Sequence, residues 1–181
     1  TAVGGQQITV RGLTGEYADL FLPLFGEHQA HNAAMAIAAV EAFVGGGEQP
    51  LDRDVLQTAL AEVTSPGRLE IVRRSPTVVV DAAHNAGGVE ALRAALNDSF
   101  TFTRLIGLIA IMGDKDAESM LEALEPVLDE VVITRNSSPR SMSVGELGEL
   151  ATEVFGADRV HVEPHLVEAI DKAAALADEQ G

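Results

Sequence analysis

The sequence predicts an α/β fold: a mostly parallel sheet with helices on both faces, preceded by a hairpin and two helices. Three observations carry that expectation. From residue 68 onward, short apolar runs alternate with amphipathic helical stretches, and parallel strands need a crossover of that kind between them. The chain is 46% hydrophobic but only 4% aromatic, so its core is built from small aliphatic side chains. The first 64 residues follow a different rhythm.

That opening stretch reads as "QQITVR" (6–11) and "YADLFLPL" (17–24), two strands around a Gly12–Glu16 hairpin. "HQAHNAAMAIAAVEAFV" (28–44) is helical, with Ala33, Ile37, Val40 and Val44 at helical spacing, and Gly45-Gly46-Gly47 stops it. "LDRDVLQTALAEV" (51–63) is a second helix, with Val55, Ala59 and Leu60 on one side. "TSPGR" (64–68) breaks the pattern. A hairpin and two helices bury little surface alone. Residues 1–64 are therefore expected to end one domain and residues 65–181 to form another.

In the second part "RLEIVRR" and "PTVVVDAA" read as strands, and "GGVEALRAAL" as a helix with Val89, Leu92 and Leu96 inward. "RLIGLIAIM" is a long apolar strand, and "AESMLEALEPVL" a helix with Leu121, Leu124 and Leu128 inward. Glu118, Glu122, Glu125 and Asp129 share its opposite face, where solvent accounts for them. "EVVITR" and "DRVHV" are strands. "SVGELGELATEVF" is a helix whose Ser143 and Glu146 have capping-box spacing, and "HLVEAIDKAAALAD" is the last helix. Such a sheet would normally continue into another strand, so the last strand is expected to be missing. Thr1 opens the chain in place of methionine, as in a fragment or a processed product.

Charge and composition exclude some functions. The formal net charge is -16, with 28 acids against 12 bases, and such a surface repels nucleic-acid backbones. The chain has no cysteine, which removes disulfides and thiolate chemistry and fits a cytoplasmic protein. No apolar run approaches the ~20 residues that span a bilayer.

In an open parallel sheet, ligands bind beyond the carboxyl ends of the strands. Three such ends carry polar residues: Asp81, His84 and Asn85; "GDKD" (113–116); and "TRNSS" (134–138). They share one rim if all three strands are parallel. Asp81 suits the paired hydroxyls of a ribose, and His84 can reach a phosphate or a base. Gly87 and Gly88 let the backbone come close and open a helix whose amino end favours anions. The alternative is that Asp81 and Asn85 only cap that helix. Lys115 is either part of a charged turn or a cation for a carboxylate or phosphate. Arg68, after a Pro-Gly turn, is either a solvated linker residue or a phosphate contact. His28 with His31, and His161 with His165, have spacings a metal could use but lack a third ligand, so no metal site is expected. No phosphate-binding G-x-x-x-x-G-K-[ST] loop occurs in the chain.

Together "GEHQAHNAAMAIAAVEAF", "SPGRLEIV", "VVVDAAHNAGGVEAL" and "GDKD" resemble the folylpolyglutamate synthase and dihydrofolate synthase family, the folate branch of the Mur ligase superfamily. The resemblance runs across nearly the whole chain, and the pairing of "PGR" with "DAAHN" is its most specific part. It implies a Rossmann-like C-terminal domain over 65–181 and the end of a central ATPase domain over 1–64. It implies an enzyme that uses ATP and magnesium to activate a folate or dihydropteroate carboxylate as an acyl phosphate, which the amine of L-glutamate then displaces. By motif match, Asn32 resembles an adenine contact, Arg68 a catalytic interdomain phosphate contact, Asp81 a ribose-side contact with His84 beside it, and Lys115 part of the glutamate-side rim. The magnesium ligands are expected outside these residues, the protein is expected to be a monomer, and the chain alone is expected to be inactive. Ala86 stands where the family pattern has proline. Two other readings share features. A peptidoglycan Mur ligase has the same fold without the "DAAHN"–"GDKD" combination. A non-catalytic receiver-type domain leaves Arg68 and Asn32 unexplained.

Overall fold

The computed structural model describes residues 4–178. They form two compact units. One runs through Glu70 and takes in Ala94–Phe100; the other comprises Ile71–Arg93 and the chain from Thr101 onward.

The first unit is built on a hairpin. Strands β1 (Gln6–Arg11) and β2 (Glu16–Leu22) pair antiparallel. The register runs Ile8 to Leu20 and then Val10 to Tyr17, so β2 carries one extra residue. Asp19, at φ 56°, lies in that extra stretch, where a bulge takes up the residue and twists the strand. The inward side chains Ile8, Val10, Tyr17, Leu20 and Leu22 pack with Ala33 and Ile37 of α1 (Glu27–Gly45) and with Leu56 and Leu60 of α2 (Arg53–Ala61).

The triple glycine does end α1. Gly46 adopts the left-handed conformation at φ 62° and returns its N–H to the carbonyl of Glu41, a conformation glycine takes without a Cβ clash. The inward faces of both helices differ from expectation. In α1 the buried seam is Ala33, Ile37 and Glu41, while Val40 and Val44 are exposed. In α2 it is Leu56 and Leu60, while Val55 is exposed. Both seams repeat at i, i+4, which keeps successive side chains on one face. Hydrophobicity alone misassigned α1 because a carboxylate occupies a core position.

In the second unit β5 (Ile106–Ile109), β6 (Glu130–Ile133) and β7 (Val160–Val162) form a parallel sheet in that order. Side chains alternate across β6. Val131 and Ile133 join the core with Leu121 of α4 (Ala117–Leu124) and with Leu147, Ala151 and Phe155 of α5 (Val144–Phe155). Val132 faces the other way, onto Ala169 and Leu176 of α6 (Leu166–Asp178). The sheet is thus covered on both faces, as expected. Leu124 and Leu128 are buried as expected too.

Two details depart from expectation. Strand β4 (Thr77–Val80) pairs with β3 (Glu70–Arg74) in a two-stranded sheet of its own. Ser75-Pro76 is too short a connection for anything but an antiparallel return. The condition that three strand ends share one parallel sheet is therefore met by β5 and β6, not by β4. Of the four acids expected in solvent, Glu118, Glu122 and Asp129 are exposed, whereas Glu125 is half-buried and takes the guanidinium of Arg159 at 2.6 Å.

Candidate functional site

The chain leaving β4 turns at once. Asp81 Oδ1 accepts the N–H of Ala83 at 2.7 Å, a side-chain turn typical of aspartate. His84 is exposed, and its Nδ1 lies 3.2 Å from the carbonyl of Ala82. Asn85 opens helix α3 (Ala86–Ser99). Its Oδ1 accepts the N–H of Gly88 at 2.7 Å, and its carbonyl accepts that of Val89 at 3.0 Å. A Cβ on Gly88 would come 3.3 Å from that same oxygen, so glycine leaves the cap its room. Asn85 thus caps the helix as the capping alternative has it, while the Asp81 carboxylate also closes the turn on Ala83 that precedes it.

At the carboxyl end of β5, "GDKD" divides its labour. Asp116 caps α4, accepting the N–H of Ser119 at 3.1 Å and its hydroxyl at 2.7 Å. Those bonds from Ser119 hold the Asp116 carboxyl below its ordinary value. The Lys115 ammonium sits 3.1 Å from Asp114. It lowers the Asp114 carboxyl, first by hydrogen bonding and then, against the opposing effect of burial, by its charge, with a smaller contribution from Arg140.

The loop after β6 is tied to this turn. Gly113 donates its N–H to the carbonyl of Arg140 at 2.8 Å. Asn136 accepts from the N–H of Ser138 at 2.9 Å, and the Ser138 hydroxyl accepts from that of Arg140 at 3.2 Å. Lys115, Arg140 and Arg135 are therefore carried by two hydrogen-bonded loops at adjacent strand ends. A cleft of about 800 Å³ lies alongside, lined by Arg135–Pro139 and Pro164–Glu168. The sequence reading marked "TRNSS" but missed Arg140 and the Pro164–Glu168 wall. The signal was there: two arginines bracket "NSSP" in a strongly acidic chain.

In the first unit, Asn32 is exposed on α1 and donates to Gln29 Oε1 at 3.2 Å. Arg68 is also exposed, at the end of a turn closed by its own N–H on the carbonyl of Ser65 at 3.1 Å. His161 lies in β7 with its Nε2 2.5 Å from Glu130, and His165 precedes α6, so their spacing never falls on one helix face. Among the described residues no group of three or more His, Asp or Glu side chains could hold a metal ion. These residues do not fit a magnesium site. Among the described residues no helix is long and apolar enough to cross a membrane.

Known proteins place these motifs in context. The chain is 52% identical over 98% of its length to the dihydrofolate synthase/folylpolyglutamate synthase of Mycobacterium tuberculosis, of which it spans 37%. It superposes on a solved structure of Mycobacterium tuberculosis folylpolyglutamate synthase complexed with ADP with a TM-score of 0.95, covering 98% of this chain and 39% of that one. It superposes on E. coli FolC in complex with DHPP and ADP with a TM-score of 0.76 at 28% identity, covering 90% of this chain and 36% of that one. The chain therefore spans less than two-fifths of each of these three relatives. Residues 67–181, from the glycine of "PGR" through "DAAHN", "GDKD" and "NSSPR", match the family described as Mur ligase, glutamate ligase domain, and the chain belongs to that family.

Proposed function

We propose that this chain is the glutamate-ligase portion of an ATP-dependent enzyme that joins L-glutamate to a folate. The observation that carries this reading is the glutamate ligase domain match over residues 67–181. The likeness to folate synthases across 98% of the chain supports it further.

In this reading ATP phosphorylates the folate carboxylate, and the glutamate amine displaces phosphate to form the amide. Asn32, Arg68, Asp81 and His84 are the nucleotide contacts. Asp81 accepts from ribose hydroxyls, a role that suits an acceptor-only carboxylate. Arg68 stabilises the charge that gathers on the transferred phosphoryl group, where a positioned guanidinium lowers the barrier. Lys115 meets a carboxylate of the incoming glutamate, with Asp114 holding the ammonium in place. Magnesium is bound by groups outside the described residues. The domain boundary lies near residues 64–65, and the protein acts as a cytoplasmic monomer.

The test is ligation by the full-length protein, with tetrahydrofolate and dihydropteroate offered in turn with ATP and L-glutamate. Glutamylated product is expected with the first, and product with the second would make the enzyme bifunctional. No product from either acceptor would sink the reading. Residues 1–181 alone, which lack a phosphate-binding loop motif, are expected to give none.

A further inference from the structure

We infer that Leu69 and Glu70 are positioning residues for Arg68. The inference rests on the reading of Arg68 as a phosphate contact and names what aims it.

The backbone around Arg68 is unusual. Pro66 and Gly67 occupy the centre of a turn closed between Ser65 and Arg68, and Gly67 has φ 71°. Proline followed by a residue at positive φ is the signature of a type II turn. Leu69 then also takes positive φ, at 47°. A left-handed leucine is strained, and such strain persists only where the surroundings enforce it. Two features enforce it here. The Leu69 side chain is buried, with 2% of its surface exposed. The exposed Glu70 carboxylate reaches back to accept the N–H of Gly67 at 2.8 Å.

Arg68 lies between these clamps. Its own side chain is exposed, and a long flexible guanidinium is poorly directed unless its backbone is held. A left-handed step at Leu69 turns the chain so that one residue is buried while its predecessor faces solvent. The first stretch of the compact unit that holds Arg68 runs through Glu70, so the clamp is the last structure before the chain first leaves that unit. A turn needing only to connect two units has no use for a strained leucine. A turn that must present one cation in one direction does.

The test uses the full-length enzyme. Leu69→Val places a β-branched residue where positive φ is least tolerated. It is expected to lower kcat about tenfold or more, with KM for ATP, folate and glutamate changed less than about twofold. Glu70→Ala, at an exposed site, is expected to lower kcat about threefold in the same manner. In the Arg68→Ala background, Leu69→Val is expected to slow the enzyme by less than about twofold further, because the group it aims is gone. If Leu69→Val does not fold, as its thermal midpoint will report, Leu69→Gly replaces it. Glycine accepts the backbone but removes the buried anchor, and the same pattern is expected. Losses that multiply in the Arg68→Ala background, or unchanged kcat in the Leu69 and Glu70 variants, overturn the inference while the reading of Arg68 stands. Full activity of Arg68→Ala overturns both.

Discussion

The phenol hydroxyl of Tyr17 donates to the carboxylate of Glu41 at 2.7 Å, inside the core of the first unit. The same phenol oxygen accepts the N–H of Leu51 at 2.9 Å, so one hydroxyl ties β2, α1 and the approach to α2 together. Glu41 also takes the hydroxyl of Thr14 and the N–H of Leu13, each at 2.6 Å. A core carboxylate is tolerated because its acceptor positions are filled. A Cβ on Gly12 would come 2.5 Å from Glu41 Oε2, so the hairpin turn closes over the carboxylate only with glycine there.

This arrangement sets an acid sensitivity. The Thr14 hydroxyl first, then that of Tyr17, pull the Glu41 carboxyl from 4.5 to about 2, against the opposing effect of burial. The folded value is the lower one, so Glu41 contributes its full stability above pH 4.5 and loses it as the pH falls toward about 2. Glu41→Gln is expected to lower the thermal midpoint at pH 7 and to flatten its fall below pH 4.5. Denaturation of both proteins across that range checks it, and parallel acid profiles would count against the assignment. Tyr17→Phe is expected to cost about 1–3 kcal/mol at pH 7, because the Glu41 carboxylate loses a donor and the Leu51 N–H loses its acceptor.

Asn85 and Asp81 are expected to separate stability from nucleotide binding. Asn85→Ala removes the cap of α3 and should cost about 1 kcal/mol, leaving the KM for ATP in the full-length enzyme near its starting value. Asp81→Ala should do the reverse, raising that KM about tenfold while moving the thermal midpoint little. Equal effects of both variants on the midpoint, with none on ATP, would mean that Asp81 serves the turn alone.

Lys115 is expected to act on glutamate. Lys115→Ala in the full-length enzyme should raise the KM for L-glutamate about tenfold, since one charge-assisted contact is lost. The KM for ATP should hold. Steady-state kinetics with each substrate varied will show whether the change falls on glutamate. A change confined to ATP would move Lys115 to the nucleotide.

Arg159 is expected to be structural. Its guanidinium reaches the carbonyls of Glu125, Leu128 and Asp129 and the Glu125 carboxylate, and it lies 5.1 Å from the centre of the Phe155 ring. Arg159→Ala should cost about 2–4 kcal/mol in chemical denaturation, because several acceptors lose their donor at once. Lysine cannot fill that fork of donors, so Arg159→Lys should recover less than half of the loss.

Much of this was legible in the residues. Strand–helix alternation announced the parallel sheet because each strand is short and each crossover amphipathic. "PGR", "DAAHN" and "GDKD" announced the family because chemistry at strand ends needs particular side chains at short spacings. The inward face of α1 was not legible. A search for apolar periodicity passes over Glu41, and only Thr14, Tyr17 and Leu13, distant in sequence, make it a core residue.

Local order and turn chemistry were determined by the sequence itself: where α1 stops at its glycines, and where proline and glycine set the turn before Arg68. Only the tertiary structure decided what depends on partners far along the chain. It gave Asn85 a cap bond on α3 and Asp81 a turn onto Ala83, tied "GDKD" to "NSSPR" through Gly113 and Arg140, and showed Leu69 left-handed beneath Arg68. The physical reason is range. A turn or a helix end is settled by neighbours within a few residues, whereas the worth of a buried charge or a strained backbone is set by whatever the fold brings against it.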